Sequence, residues 1–165
     1  VEEALLRDKS LERDIEFSGS TCTSVWMNNS KMYCASVGDS RAIIVYEQEA
    51  NGSSEENMNS FVQGDNRIFT IVQLSTDHKI ERSDEAERIQ ACGGEIGRIN
   101  GKGPLRIWKP GNNFPGLSMT RSFGDKVAHT LGVIATPEIY CYQMTRRERI
   151  LVLGSDGLWE FMSNL

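Results

Sequence analysis

The sequence predicts an α+β fold built as a layered sandwich, and three observations carry that prediction. Short apolar runs rich in β-branched residues recur along the chain, each bounded by turn residues. Neighbouring runs lie close enough in sequence to pair as hairpins. Helical periodicity is confined to a few short stretches, which excludes a regular strand–helix–strand repeat. A length of 165 residues fits one domain with room for a hydrophobic core.

The elements follow in order. Residues 1–15 set Val1, Ala4, Leu5, Leu11 and Ile15 among charges, an imperfect apolar stripe that reads as an amphipathic helix. Ser18-Gly19-Ser20 breaks it. Residues 21–27 and 31–37 read as strands joined by the turn Asn28-Asn29-Ser30. After Gly38-Asp39-Ser40-Arg41, residues 42–46 form a continuous β-branched run of the fully buried kind. Residues 47–66 are polar, with Glu47, Glu49, Glu55, Glu56 and Asp65, and read as a surface loop or insertion. A strand resumes over 67–74.

Residues 83–92 predict a short helix. Ser83 or Asp84 is placed to cap it, and Gly93-Gly94 ends it. Glu85 and Arg88, three apart, are expected to pair on its surface. Residues 97–116, rich in Gly, Pro and Asn, read as an irregular segment with one or two short strands. Residues 138–144 form a strand, 145–149 a charged turn, and 150–153 a buried strand running into Gly154-Ser155-Asp156-Gly157.

Composition narrows the function classes. Acidic residues outnumber basic ones 23 to 18, the net charge is −5, and this argues against a nucleic acid partner. No apolar run approaches the roughly 20 residues that cross a bilayer, so no membrane partner is expected. The 4 cysteines are scattered and only 2 histidines are present, which disfavours a zinc site. They read as reduced, mostly buried thiols of an intracellular protein, cytoplasmic or nuclear. The chain opens at Val1 without a signal-like segment, and both ends read as cut. Gly101 and Gly103 precede no Gly-Lys-Ser/Thr, so they do not form a phosphate loop.

Two carboxylates stand out by context. Asp39 and Asp156 each follow an apolar strand directly and adjoin glycine, a placement suited to holding a hard cation such as Mg²⁺ or Mn²⁺. A helical turn after Asp156 would bring Glu160 to the same side. The plainer reading of either Asp-Gly neighbourhood is a turn.

Seven ordered motifs then carry a family resemblance. They are Ser18-Gly19-Ser20-Thr21; Val37-Gly38-Asp39-Ser40-Arg41-Ala42; Leu74-Ser75-Thr76-Asp77-His78-Lys79; Glu87-Arg88-Ile89 with Gly93-Gly94; Leu117-Ser118-Met119-Thr120-Arg121-Ser122-Phe123-Gly124-Asp125; Val133 through Pro137-Glu138-Ile139; and Leu153-Gly154-Ser155-Asp156-Gly157-Leu158-Trp159-Glu160-Phe161-Met162-Ser163. Together they resemble the type 2C, metal-dependent protein Ser/Thr phosphatases (the PPM family). The resemblance implies a four-layer α-β-β-α sandwich of two antiparallel sheets flanked by helices. Residues 1–165 then read as a single partial phosphatase domain.

The implied activity is hydrolysis of phosphoserine and phosphothreonine in a phosphorylated protein substrate, by a water activated at a binuclear Mg²⁺ or Mn²⁺ centre. By resemblance Asp156 is a metal ligand, Asp39 a ligand of a weaker third ion, and Glu160 stands where the family usually has Asp. The family's upstream phosphate-holding Arg, its D-G-H-G-G segment and its downstream D-N segment have no counterpart here. The catalytic residues are therefore expected outside this chain, which alone is expected to be inactive and to expose unpaired edges. His78 reads as structural and His129 as a packing or surface residue.

Residues 97–135 resemble the family's flap. Its cationic-aromatic cluster makes Arg106 and Trp108, with Lys109, candidate substrate contacts; packing of Trp108 as a loop anchor is the alternative. A regulatory protein partner is also considered. The competing function is a non-catalytic phosphatase-like scaffold or binding module.

Overall fold

The computed structural model describes residues 1–11, 14–48, 60–63 and 67–164. In chain order the elements are α1 (Glu2–Arg7), a 3-10 turn (Asp14–Glu16), β1 (Gly19–Ser20), β2 (Cys22–Asn28), β3 (Lys31–Val37), β4 (Arg41–Glu47), β5 (Ser60–Gln63), β6 (Arg67–Gln73) and α2 (Ser83–Ala91). Then come β7 (Glu95–Ile99), β8 (Lys102–Trp108), β9 (Pro115–Leu117), β10 (Phe123–Gly124), α3 (Lys126–His129), β11 (Glu138–Gln143), β12 (Glu148–Gly154) and α4 (Asp156–Trp159). The antiparallel sheets and few helices are those of an α+β fold. The chain folds as two compact units, one of residues 1–22, 37–39 and 77–137, the other of residues 23–36, 40–76 and 138–165.

The second unit is a sandwich. One sheet runs β11-β3-β2 and the other β12-β4-β6-β5, all antiparallel where the register is resolved. β4 explains the packing. Its run Ala42-Ile43-Ile44-Val45 is buried throughout, and strand alternation sends successive side chains to opposite faces. Ala42 and Ile44 meet Met32, Cys34 and Leu74 between the two sheets, while Ile43 and Val45 pack with Phe69 and Ile71 on the other face. Burying a side chain the size of Ile44 stabilises the unit by about 1.5–3 kcal/mol.

The first unit centres on Ile80, Ile89, Ile107, Ala128, Leu131 and Val133. α2 contributes Ile89 and, one turn earlier, Glu85, both fully buried. The sheet β7-β8-β9 supplies Ile107.

Several sequence expectations change. The N-terminal helix covers only Glu2–Arg7 and buries no residue, because its apolar stripe is too sparse to hold a longer one against the core. The segment 47–66 contains a strand, β5, paired with β6 over Phe61↔Phe69; its residues 49–59 and 64–66 lie outside the described residues. The N-cap of α2 is Arg82 with no side-chain cap bond, since Asp84 is engaged by the Arg82 guanidinium at 2.6 Å. Residues 97–116 form most of an ordered three-stranded sheet, whose hairpin glycines serve as turns. β12 is an edge strand, so Ile150 and Leu153 are largely exposed. Of the four cysteines only Cys34 is buried; all are free thiols.

Candidate metal centre

Asp156 opens α4 directly after β12. Gly154 makes that junction: a Cβ there would press on Leu158 Cδ2 at 2.8 Å and the Trp159 ring at 3.3 Å, so glycine leaves room for these two side chains to fold back onto the strand. The turn is then clamped. Trp159 Nε1 donates to the Gly154 carbonyl at 2.8 Å, and the Arg41 guanidinium lies 5.3 Å from the Trp159 ring centroid. Arg41 also donates to Asn164 Oδ1 at 2.7 Å, and Asn164 Nδ2 donates to Gln73 Oε1 at 2.9 Å.

The helical turn after Asp156 forms as expected. Glu160 N–H donates to the Asp156 carbonyl at 2.8 Å, and i, i+4 spacing puts both carboxylates on one face. Asp156 is half-buried and Glu160 exposed.

Asp39 belongs to the other unit and is held differently. Gly38 takes φ +98°, and a Cβ there would sit 2.2 Å from Thr21 Cγ2. Its N–H donates to His78 Nδ1 at 3.1 Å, while the His78 N–H donates to the Gly38 carbonyl at 3.0 Å. Fully buried His78 thus fixes the backbone that presents Asp39. Lys79 brings its ammonium to 3.6 Å from Asp39 Oδ2. Lys79 follows His78 as Asp39 follows Gly38, so the bonds between His78 and Gly38 bring the two charges together.

Arg106 and Trp108 lie on β8. Arg106 donates to the Gly116 carbonyl, and Trp108 Nε1 donates to the Gly97 carbonyl at 3.2 Å. Both side chains are half-buried and engaged by the backbone of their own sheet.

Among the described residues, one buried charge cluster is not visible in the sequence pattern. Glu85 was expected at the surface with Arg88; it is fully buried, bound by Arg88 NH2 at 2.6 Å and by Arg121 NH2 at 2.6 Å, with Thr120 Oγ1 as a further donor. Burial pushes its carboxyl up, but the bonds from Arg88, Arg121 and Thr120 and the charge of Arg121 outweigh it and hold the carboxyl well below the usual range. Arg88 also donates to the carbonyls of Gly132 and Thr120, so the network ties α2 to the Thr120–Arg121 segment. A fully satisfied carboxylate of this kind is structural. Pairing Arg88 of one motif with Arg121 of another was the signal that could have found it.

The family model for protein phosphatase 2C matches residues 2–165. The chain belongs to the protein phosphatase 2C family. It is 36% identical over 148 residues to probable protein phosphatase 2C 64 of Oryza sativa subsp. japonica, covering 89% of this chain and 31% of that relative. It is 33% identical over 165 residues to probable protein phosphatase 2C 61 of Arabidopsis thaliana, covering 99% of this chain and 45% of that relative. The chain therefore spans less than half the length of either. The crystal structure of a serine-threonine phosphatase 2C from Toxoplasma gondii superposes with a TM-score of 0.75 at 23% identity, over 94% of this chain and 47% of that one, which supports the fold.

Proposed function

We propose that the protein is a metal-dependent Ser/Thr phosphatase that hydrolyses phosphoserine and phosphothreonine in phosphorylated proteins. One observation carries this reading most: the turn after β12 is folded and clamped so that Asp156 and Glu160 share a face. Two hard oxygen donors on one solvent-reached face fit Mg²⁺ or Mn²⁺, which retain several waters. Asp156 would hold the ion and Glu160 would assist, its extra methylene reaching further than the family's usual Asp. A bound divalent ion of this kind lowers the pKa of a coordinated water and neutralises phosphoryl charge. The chain's own contribution is positional. Trp159, Arg41 and Asn164 fix the Asp156 turn on β12 and β4, and His78 fixes the Asp39 turn.

Family membership supports the phosphoprotein substrate, and an intracellular setting, cytoplasmic or nuclear, is proposed from the sparse, scattered cysteines of the sequence. The 165-residue chain alone is expected to lack enzyme-like turnover, because the D-G-H-G-G and D-N groups have no counterpart in its sequence. A non-catalytic binding module is the competing reading. Lys79 favours it, since its ammonium already balances Asp39.

Phosphate release from phosphoserine and phosphothreonine peptides decides between them. Mn²⁺-dependent release by the full-length protein that Asp156→Ala abolishes supports the phosphatase. A folded full-length protein without metal-dependent release is the binding module, whereas silence of the 165-residue chain alone is expected under both readings.

A further inference from the structure

Over the segment that forms β7, β8 and β9, residues 95–117, the chain carries Arg98, Lys102, Arg106 and Lys109 against a single acid, Glu95, although acids outnumber bases 23 to 18 overall. Most of this stretch is the antiparallel sheet β7-β8-β9. The sheet bears a cleft of about 410 Å³ whose lining includes Glu95, Arg98, Ile99, Trp108, Asn112 and Asn113. That volume lies in the range of small-ligand and side-chain pockets, roughly 300–1,000 Å³.

The geometry sorts the cations. Arg106 turns inward to the Gly116 carbonyl and is absent from the cleft lining. Arg98 is exposed and lines the cleft; one of its nitrogens donates to the Gly103 carbonyl, which anchors the guanidinium across the β7–β8 turn. Lys109 is exposed beside the Phe114 ring, 5.8 Å from its centroid. Trp108 is a fixed wall, pinned by its bond to the Gly97 carbonyl and packed so closely on Gly116 that a Cβ there would come within 2.9 Å of the ring. Guanidinium and carboxamide donors around an aromatic wall suit carboxylates on an extended peptide.

We propose that this cleft binds an acidic peptide segment, with Arg98 as its charge anchor, Trp108 as its apolar wall and Lys109 adding positive field. The segment belongs to the phosphoprotein substrate; only that attribution rests on the phosphatase reading. Glu95 sharpens the claim. It lies opposite Trp108 in the β7–β8 register and lines the cleft, and its carboxylate forms no hydrogen bond or ion pair among the described residues. For an acidic ligand it is a repulsive neighbour, whereas for a basic ligand it would be the anchor.

The test is fluorescence anisotropy on the protein with a labelled Glu-rich peptide and its Lys-rich counterpart, neither phosphorylated and with no metal added. The Glu-rich peptide should bind and the Lys-rich one should not. Arg98→Glu and Lys109→Glu should each weaken binding about tenfold, and Glu95→Gln should strengthen it about threefold. Arg146→Glu, the same charge change on the exposed β11–β12 turn, should leave binding unchanged. Circular dichroism checks that each variant folds, and Lys109→Glu with Glu95→Gln carries the test if Arg98→Glu does not fold. Preference for the Lys-rich peptide, weakening by Glu95→Gln, or equal losses in Arg146→Glu and Lys109→Glu would overturn the proposal. Phosphopeptide turnover is measured separately. Turnover by the full-length protein without Glu-rich peptide binding rejects this cleft alone; binding without turnover by the full-length protein rejects the phosphatase reading alone.

Discussion

Replacing Glu85 by Gln should destabilise the protein more than almost any other isosteric change. The substitution preserves volume and removes one charge. It leaves the Arg121 guanidinium, whose side chain is 9% exposed, beside a neutral amide, with Arg88 on the other side at 24%. The new NH₂ group also points a donor at groups that are themselves donors. Breaking a buried ion pair by removing one partner costs about 3–5 kcal/mol. For a chain of this size each kcal/mol lowers the midpoint by about 2–4 °C, so a fall of roughly 6–20 °C is expected. Urea unfolding followed by circular dichroism reads the free energy directly. A Glu85→Gln protein within about 1 kcal/mol of the parent would refute the reasoning, because the charge would then be contributing no more than an exposed ion pair. Replacing the carboxylate together with its more buried guanidinium, as in Glu85→Leu with Arg121→Met, should recover part of the loss, since Arg88 is the more exposed of the two cations.

The same network sets an acid limb. The unfolded carboxyl titrates near 4.5 and the folded one well below it, so its stabilisation is complete above pH 4.5. It falls by up to about 1.4 kcal/mol per pH unit as the pH drops below that value. In Glu85→Gln that part of the limb should flatten.

Other expectations follow from single contacts. Gly38→Ala should cost at least about 2 kcal/mol, from the left-handed backbone and the Thr21 clash together; an unchanged urea midpoint would contradict it. In the full-length protein Asp156→Ala should lower Mn²⁺-dependent turnover at least about 100-fold while leaving the melting curve intact, whereas Glu160→Asp should retain turnover. Burial, aided by the bond its hydroxyl donates to Glu148 Oε1 at 3.1 Å, pushes the Tyr142 phenol up to about 12. Spectrophotometric titration should therefore show a late step from Tyr142, and Tyr142→Phe should remove that step.

Local pattern made the strands legible. The Ala42–Val45 run announces β4 because a strand buried on both faces must be apolar at every position, and no neighbour is needed to see it. The D-G-L-W-E turn was equally legible, since an i, i+4 relation is a property of four consecutive peptide units. The sheet β7-β8-β9 was not. Its glycines and prolines carry loop propensity, and pairing such as Ile107↔Leu117 stabilises it only once formed.

By itself the sequence determined the α+β class, the order of motifs and the identity of the carboxylates, because each is written in neighbouring residues. Tertiary structure alone decided which charges are buried. Glu85 and Arg121 are 36 residues apart, and nothing local distinguishes a solvated glutamate from one whose desolvation is offset by two guanidinium groups. It also decided that Arg106 faces Gly116 while Arg98 faces the cleft. Strand alternation names two faces, but only packing determines which of them meets the core.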